Sequence, residues 1–251
     1  MVFAIIGDDA RQIKLAQMLR CTERVQDADV VVLPILLMKQ SFPVESVIAS
    51  MTTSQILAGG FIPDEIIKAA QAKGIRVIDY GKRDELAIKN AVPTAEAALQ
   101  IAMQHLSITI HGCRALVIGY GRIGKTLSKM LYSLGAHTSV SARKSTDMAW
   151  IKNNGFFALH TTGLDPHLNN FDVIFNTVPH LIVDETAVKK TRNNCLLIDL
   201  ASAPGGIDIE AAKRHGRTCE WALALPGKHS PDTAAENLRQ TLFDAIKEEM
   251  E

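Results

Sequence analysis

The chain has 251 residues, 47% of them hydrophobic, which is enough for one large domain or two ordinary ones with a sizeable core. Basic and acidic residues number 27 each, so the charge balance argues against nucleic acid and against an anionic membrane as partners. No apolar run reaches the roughly 18 residues of a membrane helix, and the four cysteines lack metal-ligand spacing, so we expect a cytoplasmic protein with reduced thiols and no metal.

The first third of the chain predicts a small α/β domain. Val2–Ile6 has the pattern of a buried strand, and a helix with Arg11 near its start follows. Further strands are predicted at Asp29–Leu33 and Ile75–Asp79, with a helix introduced by Pro63 between them. Because parallel strands need crossover connections, this alternation predicts a parallel sheet.

Two helices are predicted where the domains join. One starts beside Pro93, and the other follows Ser230 near the C-terminus. We expect a small domain at 1–92, a dinucleotide-binding domain at 93–230, and a helix at 231–251 that returns to the small domain. Both connecting helices should then act as hinges beside a substrate cleft.

A glycine-rich motif opens the second domain. An apolar run leads into Gly119, Gly121 and Gly124 at the G-x-G-x-x-G spacing, and an apolar helical pattern follows. Gly119 would permit the sharp turn, Gly121 would let backbone approach a pyrophosphate, and Gly124 would let the helix pack on the strand. The free amides at Arg122 and Ile123 would face the phosphates. The alternative is a glycine-rich turn in some other α/β sheet.

The segment after the next predicted strand, His137–Ser141, indicates which dinucleotide binds. An Asp or Glu about 20 residues beyond the first glycine usually holds a ribose 2′-hydroxyl. This chain has Ala142–Ser145 there, in which Arg143 and Lys144 are suited to a 2′-phosphate. NADP is therefore favoured, NAD remains possible, and a solvated basic turn is the alternative interpretation.

Two later strand ends should line the rest of the cofactor, because ligands of parallel sheets bind at the carboxyl ends of the strands. After the predicted strand Asp172–Asn176, the expected ribose contacts are Asn176, Thr177, Val178 and Pro179. After the next strand, the expected contacts on the nicotinamide side are Asp199, Ala201 and Ser202.

Candidate substrate contacts are cations near strand ends and hinge segments. The candidates for holding carboxylates are Arg11, Arg83 and Lys228, although an exposed cation is often only a solvated surface charge. His229 beside Lys228 is a possible proton acceptor, and so is His180. We expect Arg11, Lys228 and His229 to form the catalytic group.

A paired-glycine turn follows the strand that ends near Asp199. It consists of Pro204, Gly205 and Gly206. Glycines permit close backbone approach, so contact with the substrate is the favoured use and a plain turn is the alternative.

Several ordered segments resemble the family of dipicolinate synthase A subunits. They are Asp8–Gln12, Lys82–Ile88, Asn90–Glu96, Ile110–Gly112, Gly119–Gly124, Asp199–Ser202, Pro204–Gly206, Leu225–Gly227 and Pro231–Ala234. The resemblance implies a sporulation enzyme that oxidises a dihydrodipicolinate from the lysine pathway to dipicolinate with NADP. It also implies a flavoprotein-like second subunit.

The family resemblance implies a domain plan similar to that of D-2-hydroxyacid dehydrogenases. The expected fold is α/β: a Rossmann-type doubly wound parallel sheet plus a smaller flavodoxin-like α/β domain, joined by two hinge helices. Between the first helix and Asp29 the chain has only a short turn where the family carries a further strand, so we expect a truncated small domain.

Three functions follow from these features. The first is NADP-dependent oxidation of a small cyclic dicarboxylate, by a chain that we expect to form a homo-oligomer. The second is an NAD(P)-dependent 2-hydroxyacid dehydrogenase, although His229 lacks an evident Glu partner. The third is a non-catalytic NADP-binding subunit that organises a partner.

Overall fold

The computed structural model describes residues 1–35 and 43–250, which form two compact units. The N-terminal unit combines Met1–Asn90 with Pro226–Glu251, and the central unit comprises Ala91–Leu225. Lys228 and His229 therefore lie in the same unit as Arg11.

The N-terminal unit contains a parallel sheet with strands in the order β1-β2-β3-β4. These strands are β1 (Phe3–Ile5), β2 (Val30–Ile35), β3 (Ile56–Gly60) and β4 (Arg76–Asp79). Successive residues of β2 face opposite sides of the sheet, so Val30 and Val32 join one apolar cluster while Val31 and Leu33 join another. Burial on both faces explains the continuous apolar run of this strand.

An isolated β-bridge lies beside β1. Cys21 forms a single parallel bridge with Phe3, on the edge of β1 away from β2. The amide of Phe3 donates to the Arg20 carbonyl at 2.9 Å, and Thr22 donates back to the Phe3 carbonyl at 2.9 Å. With this bridge as the second strand in chain order, the sheet follows the flavodoxin-like order 2-1-3-4-5. The short turn noted in the sequence corresponds to this reduced strand.

The described helices that accompany this sheet include α1 (Ala10–Met18), α2 (Val44–Ser50), α3 (Asp64–Ala72) and α10 (Pro231–Met250). The Asp9 carboxylate caps α1 by accepting from the amides of Arg11 and Gln12. Helix α10 packs along α1, where Lys14 and Asp232 form a 2.9 Å ion pair.

Helix α4 (Asp84–His105) corrects the prediction of a helix that starts beside Pro93. Proline inside a helix lacks an amide donor and costs roughly 3 kcal/mol. Here Pro93 is buried, and the nearby residues Ala91, Ala95 and Ala97 are 1%, 0% and 2% exposed. The buried apolar face continues through the proline and offsets its cost.

The central unit contains a six-stranded parallel sheet in the order β10-β9-β8-β5-β6-β7. Numbered within this unit, the order is 3-2-1-4-5-6, which is that of a doubly wound dinucleotide-binding sheet. The strands are β5 (Arg114–Ile118), β6 (His137–Ala142), β7 (Phe157–His160), β8 (Val173–Asn176), β9 (Leu196–Asp199) and β10 (Cys219–Trp221).

Helices connect these strands and build the core of the central unit. They include α5 (Arg122–Ser133), α6 (Ser145–Asn153), α7 (Glu185–Lys190) and α8 (Ile209–Arg214). The short helix α9 (Leu225–His229) comes later in the chain, where the central unit ends at Leu225 and the N-terminal unit resumes at Pro226. Leu127 and Leu131 of α5 are fully buried, and each such side chain contributes about 1.5–3 kcal/mol. Gly135 follows α5 with a φ of 82°, which is typical of a helix C-terminus.

No helix among residues 1–35 and 43–250 is both long and apolar enough to cross a bilayer.

Candidate functional site

The turn between β5 and α5 has the geometry that the glycine spacing predicted. Gly119 adopts a φ of 99°, a conformation that favours glycine. A Cβ on Gly124 would lie 2.1 Å from the Gly119 carbonyl oxygen, so only glycine fits where helix and strand meet. A Cβ on Gly121 would have no atom within 4 Å, so this glycine faces open space. The middle glycine therefore leaves space in which a ligand can approach the backbone.

The start of α5 lies at this turn. Gly121 is the N-cap residue and supplies no side-chain hydrogen bond to the first amides. Its carbonyl accepts from the Lys125 amide at 2.9 Å, and the first amides of the helix precede this hydrogen bond at the turn. Such amides, with the positive end of the helix dipole, form an anion site suited to a pyrophosphate.

A groove of 660 Å³ extends from the glycine turn along the carboxyl end of the central sheet. This volume is within the range of small-molecule sites. The predicted cofactor residues that line it are Gly119, Gly121, Ala142, Arg143, Lys144 and Val178. The lining residues that sequence reasoning missed include Asp147, Thr161, Thr162, Leu164, Asp165 and Leu168. Most of these follow β7 in 3-10 turns that carry no motif, so only the pairing of β7 with β6 brings them to the groove.

The segment Ala142–Ser145 joins β6 to α6 on one wall of the groove. Arg143 and Lys144 are exposed, and Ser145 begins the helix. Asp147 in the first turn of α6 is half-buried and lines the same groove. The wall thus presents two cations and one carboxylate to a ligand.

Asn176 and Asp199 do not form a ligand surface, contrary to prediction. Both are 0% exposed, and the Asn176 amide donates to Asp199 Oδ1 at 2.7 Å. Asp199 also accepts from the amides of Ala201, Gly206 and Ile207 at 3.0, 2.6 and 3.0 Å. The two side chains therefore hold the backbone around the groove in place, and the 3% exposed Ala201 belongs to the same buried turn.

The paired glycines approach the protein itself, which corrects their assignment to the substrate. A Cβ on Gly206 would lie 2.4 Å from the Asn176 amide nitrogen, and one on Gly205 would lie 2.9 Å from Asp199 Oδ2. Both glycines are buried, whereas Pro204 is exposed. The groups that approach these glycines closely include the buried side chains of Asn176 and Asp199.

The remaining predicted ribose contacts lie after β8. The Thr177 hydroxyl donates to the Ile118 carbonyl at 2.9 Å, which ties the ends of β8 and β5 together. Val178 lines the groove, and Pro179 and Ser202 are exposed. His180, which we considered as a proton acceptor, also lines the groove.

Arg11 lies near the carboxyl end of the other sheet, in the first turn of α1. Its side chain is 13% exposed, and its Nε donates to Asp9 Oδ1 at 3.3 Å. A Cβ on Gly227 of α9 would lie 2.8 Å from Arg11 Nε. The absence of a side chain at Gly227 thus makes room for Arg11. Lys228 and His229 follow in the last turn of α9, and both are exposed.

Arg83 is already paired, which corrects its assignment to the substrate. Its guanidinium donates to Glu85 and, at 2.8–2.9 Å, to both carboxylate oxygens of Glu248. The hydrogen bond to Glu85, followed by that to Glu248, raises the pKa of Arg83. A substrate carboxylate would have to displace two carboxylates of the protein.

Tyr80 and Gln12 form a buried polar pair beside Arg11. The Tyr80 hydroxyl donates to the Leu33 carbonyl, and burial raises the pKa of Tyr80 far above its usual value. Gln12 donates to the Ile6 carbonyl at 3.2 Å, while its buried Oε1 has no partner among the described residues. Tyr80 therefore stays protonated at neutral pH and serves the structure of the strand ends.

Three thiols of the central unit have high pKa values. Burial raises the pKa of Cys113 to about 11 and the pKa of Cys195 and Cys219 to about 12. Few of these groups are thiolates at neutral pH, so they are poor nucleophiles.

Comparison with known proteins agrees with this geometry. Residues 86–207 match the family model described as D-isomer specific 2-hydroxyacid dehydrogenase, NAD binding domain. The A subunit of dipicolinate synthase from Bacillus subtilis (strain 168) is 37% identical over 180 residues, which are 72% of this chain and 60% of that one. Over these 180 residues the chain is thus similar in sequence to a dipicolinate synthase A subunit. The match spans about three fifths of that curated relative's length.

Two crystal structures of dipicolinate synthase A subunits extend the likeness beyond the matched sequence. The Bacillus halodurans protein has a TM-score of 0.85 and 27% identity, covering 97% of this chain and 96% of that one. The Bacillus subtilis protein has a TM-score of 0.85 and 26% identity, covering 99% and 96%. The α/β Rossmann-type fold is thus confirmed, and residues 86–207 of the chain resemble the NAD-binding domain of a dehydrogenase family.

Proposed function

We propose that this chain is the NADP-binding subunit of a dipicolinate synthase and oxidises a dihydrodipicolinate to dipicolinate. The observation that carries the proposal is the likeness to dipicolinate synthase A subunits, which extends over both units of the chain. The groove beside the glycine turn supports it, because its anion site suits a dinucleotide. When bound, the nicotinamide would supply hydride acceptance.

The groove residues would hold the cofactor as follows. The turn Gly119–Gly124 at the start of α5 receives the pyrophosphate, and Gly121 leaves the space that it needs. Arg143, Lys144 and Ser145 receive the 2′-phosphate of NADP through charge-assisted hydrogen bonds. Asp199 keeps the neighbouring backbone in place without touching the ligand.

The N-terminal unit would hold the substrate. Arg11 and Lys228 bind carboxylates of the cyclic dicarboxylate, and the fixed carboxylate of Asp9 orients the Arg11 guanidinium from its Nε side. His229 accepts the proton that the ring loses as it becomes aromatic. The two cations orient the ring. Because aromatisation of the ring is itself favourable, the reaction needs little further catalysis from side chains.

The proposal includes partners. A flavoprotein-like second subunit would accompany this chain, as the designation of its relatives as A subunits suggests, and the chain itself would form a homo-oligomer.

The test is to incubate the purified chain with NADP and enzymatically generated dihydrodipicolinate, with and without a flavoprotein-like partner. Appearance of pyridine-2,6-dicarboxylate absorbance together with NADPH is the expected result. Gly121→Val is the matched control and should give neither signal. No product under either condition, with NADP still bound, would favour a non-catalytic subunit that organises its partner.

Asp147 supports a second candidate. Its carboxylate lines the groove beside Arg143 and Lys144, where it could accept a hydrogen bond from an unphosphorylated ribose. With the dehydrogenase family model, this favours an NAD-dependent 2-hydroxyacid dehydrogenase. Reduction of NAD by 2-hydroxy acids, without turnover of the dicarboxylate, would identify that activity.

A further inference from the structure

His160 contacts two loops that line the dinucleotide groove: the segment between β6 and α6, and the turn after β7. His160 is the last residue of β7, and its Nε2 lies 3.2 Å from the Arg143 carbonyl oxygen. Its Nδ1 lies 2.8 Å from the Thr162 hydroxyl and 3.4 Å from the Thr162 amide nitrogen. Arg143 and Thr162 both line the groove, so one exposed ring holds residues from both loops.

The hydrogen-bond partners determine where the ring proton lies. A carbonyl oxygen can only accept, so Nε2 must carry a proton and donate it to Arg143. The Thr162 amide can only donate, so Nδ1 must be unprotonated and accept. The Thr162 hydroxyl then also donates to Nδ1. These contacts correspond to the tautomer of His160 that carries its proton on Nε2.

Other contacts place His160 close to the β6–α6 segment. The register of the sheet sets His160 opposite Ala142, the residue before Arg143. The Thr161 hydroxyl donates to the Ser141 hydroxyl at 3.3 Å. The ring is thus one of several links between the two loops, and its Nε2 contacts the main-chain carbonyl of Arg143.

We propose that His160 is a positioning residue that sets the preference of the groove for a 2′-phosphorylated adenosine. Arg143 is exposed, and a long cation loses much rotamer freedom when it binds a ligand. Fixing its main chain through the carbonyl directs the side chain along the groove before the ligand arrives. The proposal rests on the NADP preference proposed above.

The test uses the full chain and ligands that need no catalysis. Dissociation constants are measured for adenosine 2′,5′-bisphosphate and adenosine 5′-monophosphate, which differ in the 2′-phosphate, and for NADP and NAD. In His160→Ala the preference for the 2′-phosphorylated ligands should fall about tenfold, a change of the size expected when the backbone of one residue is no longer held. Binding of adenosine 5′-monophosphate and NAD should change less than about twofold.

Two further variants separate positioning from loss of structure. His160→Gln retains an amide donor at the place of Nε2 and should restore most of the preference. His137→Ala removes an exposed histidine from the opposite end of β6 and should leave the preference unchanged. Circular dichroism and thermal melting of each variant report whether it folds.

The outcomes distinguish this inference from the proposed function. Suppose that the wild-type chain prefers 2′-phosphorylated ligands. If His160→Ala keeps that preference, or binds all four ligands more weakly by the same factor, the role of His160 is overturned while NADP use stands. If His160→Gln behaves like His160→Ala, the carbonyl contact is not the cause and the inference fails. If the wild-type chain shows no preference, both proposals fail.

Discussion

Gly206 donates its amide proton to Asp199 across a 2.6 Å hydrogen bond between residues that are both buried. The same carboxylate accepts from three other nitrogen donors, so four hydrogen bonds converge on one buried group. The carboxyl ends of β8 and β9 and the turn that follows are thereby held as one structure.

We expect Asp199→Asn to lower the free energy of unfolding by about 2–4 kcal/mol, because an amide cannot accept all four hydrogen bonds and its own donors would face amides. Urea denaturation followed by circular dichroism measures the change. Asp208→Asn is the control: Asp208 caps α8, and asparagine caps a helix as well as aspartate does. Equal stability of Asp199→Asn and wild type would contradict the role given to Asp199.

Gly121→Val should abolish dinucleotide binding while the chain stays folded, because the added side chain enters open space where the pyrophosphate lies. The backbone at Gly121 is extended, which valine tolerates. Gly124→Val should instead disrupt folding, since its Cβ would meet the Gly119 carbonyl at 2.1 Å. Thermal melts and cofactor titrations of both variants check this, and normal cofactor affinity in Gly121→Val would rule out the assigned site.

Arg143→Asp should reverse the cofactor preference from NADP to NAD. Loss of a charge-assisted hydrogen bond, roughly 1.5–3 kcal/mol, corresponds to a loss of about ten- to hundredfold in NADP affinity. Fluorescence or calorimetric titration with each cofactor measures the change. Lys152→Asp makes the same charge change in the last turn of α6, outside the groove lining, and should have little effect. Equal affinity of the wild-type chain for both cofactors would refute the preference.

Arg11→Ala should raise the KM for the dicarboxylate by about ten- to hundredfold, because we propose that Arg11 binds a substrate carboxylate. The NADP affinity should stay nearly unchanged, because the groove residues belong to the central unit. Lys228→Ala should behave in the same way. Arg83→Ala provides the comparison, since its guanidinium is bound by Glu85 and Glu248, and its KM should match wild type. Full turnover in both Arg11→Ala and Lys228→Ala would place the substrate elsewhere.

Gly227→Ala should reduce turnover without destabilising the chain. The new Cβ would lie 2.8 Å from Arg11 Nε and 3.1 Å from its Cδ, and a flexible side chain can move away from such a clash. Alanine also favours the helix in which residue 227 lies. Because both substitutions act through one guanidinium, Gly227→Ala combined with Arg11→Ala should be no worse than Arg11→Ala alone. Additive losses in the double variant would show that Gly227 acts independently.

The sequence determined the features that depend on neighbouring residues. The spacing of Gly119, Gly121 and Gly124 predicted a strand, a turn and a helix, and the structure has β5, the turn and α5 there. The alternation of strands and helices predicted parallel sheets in both units, and the short turn before Asp29 corresponds to the single bridge at Cys21. Such signals are local because backbone conformation and helix caps depend on a few adjacent residues.

The tertiary structure decided the roles of polar residues that meet partners far along the chain. Asp199, Gly206 and Arg83 looked like ligand contacts in the sequence, yet each is occupied by groups of the protein. Thr162 and His160 carried no motif. Because β7 pairs beside β6, Thr162 lines the groove and His160 contacts Arg143. Whether a charge or an amide is free for a ligand depends on which distant residues the packed sheet places beside it, and no local pattern records that.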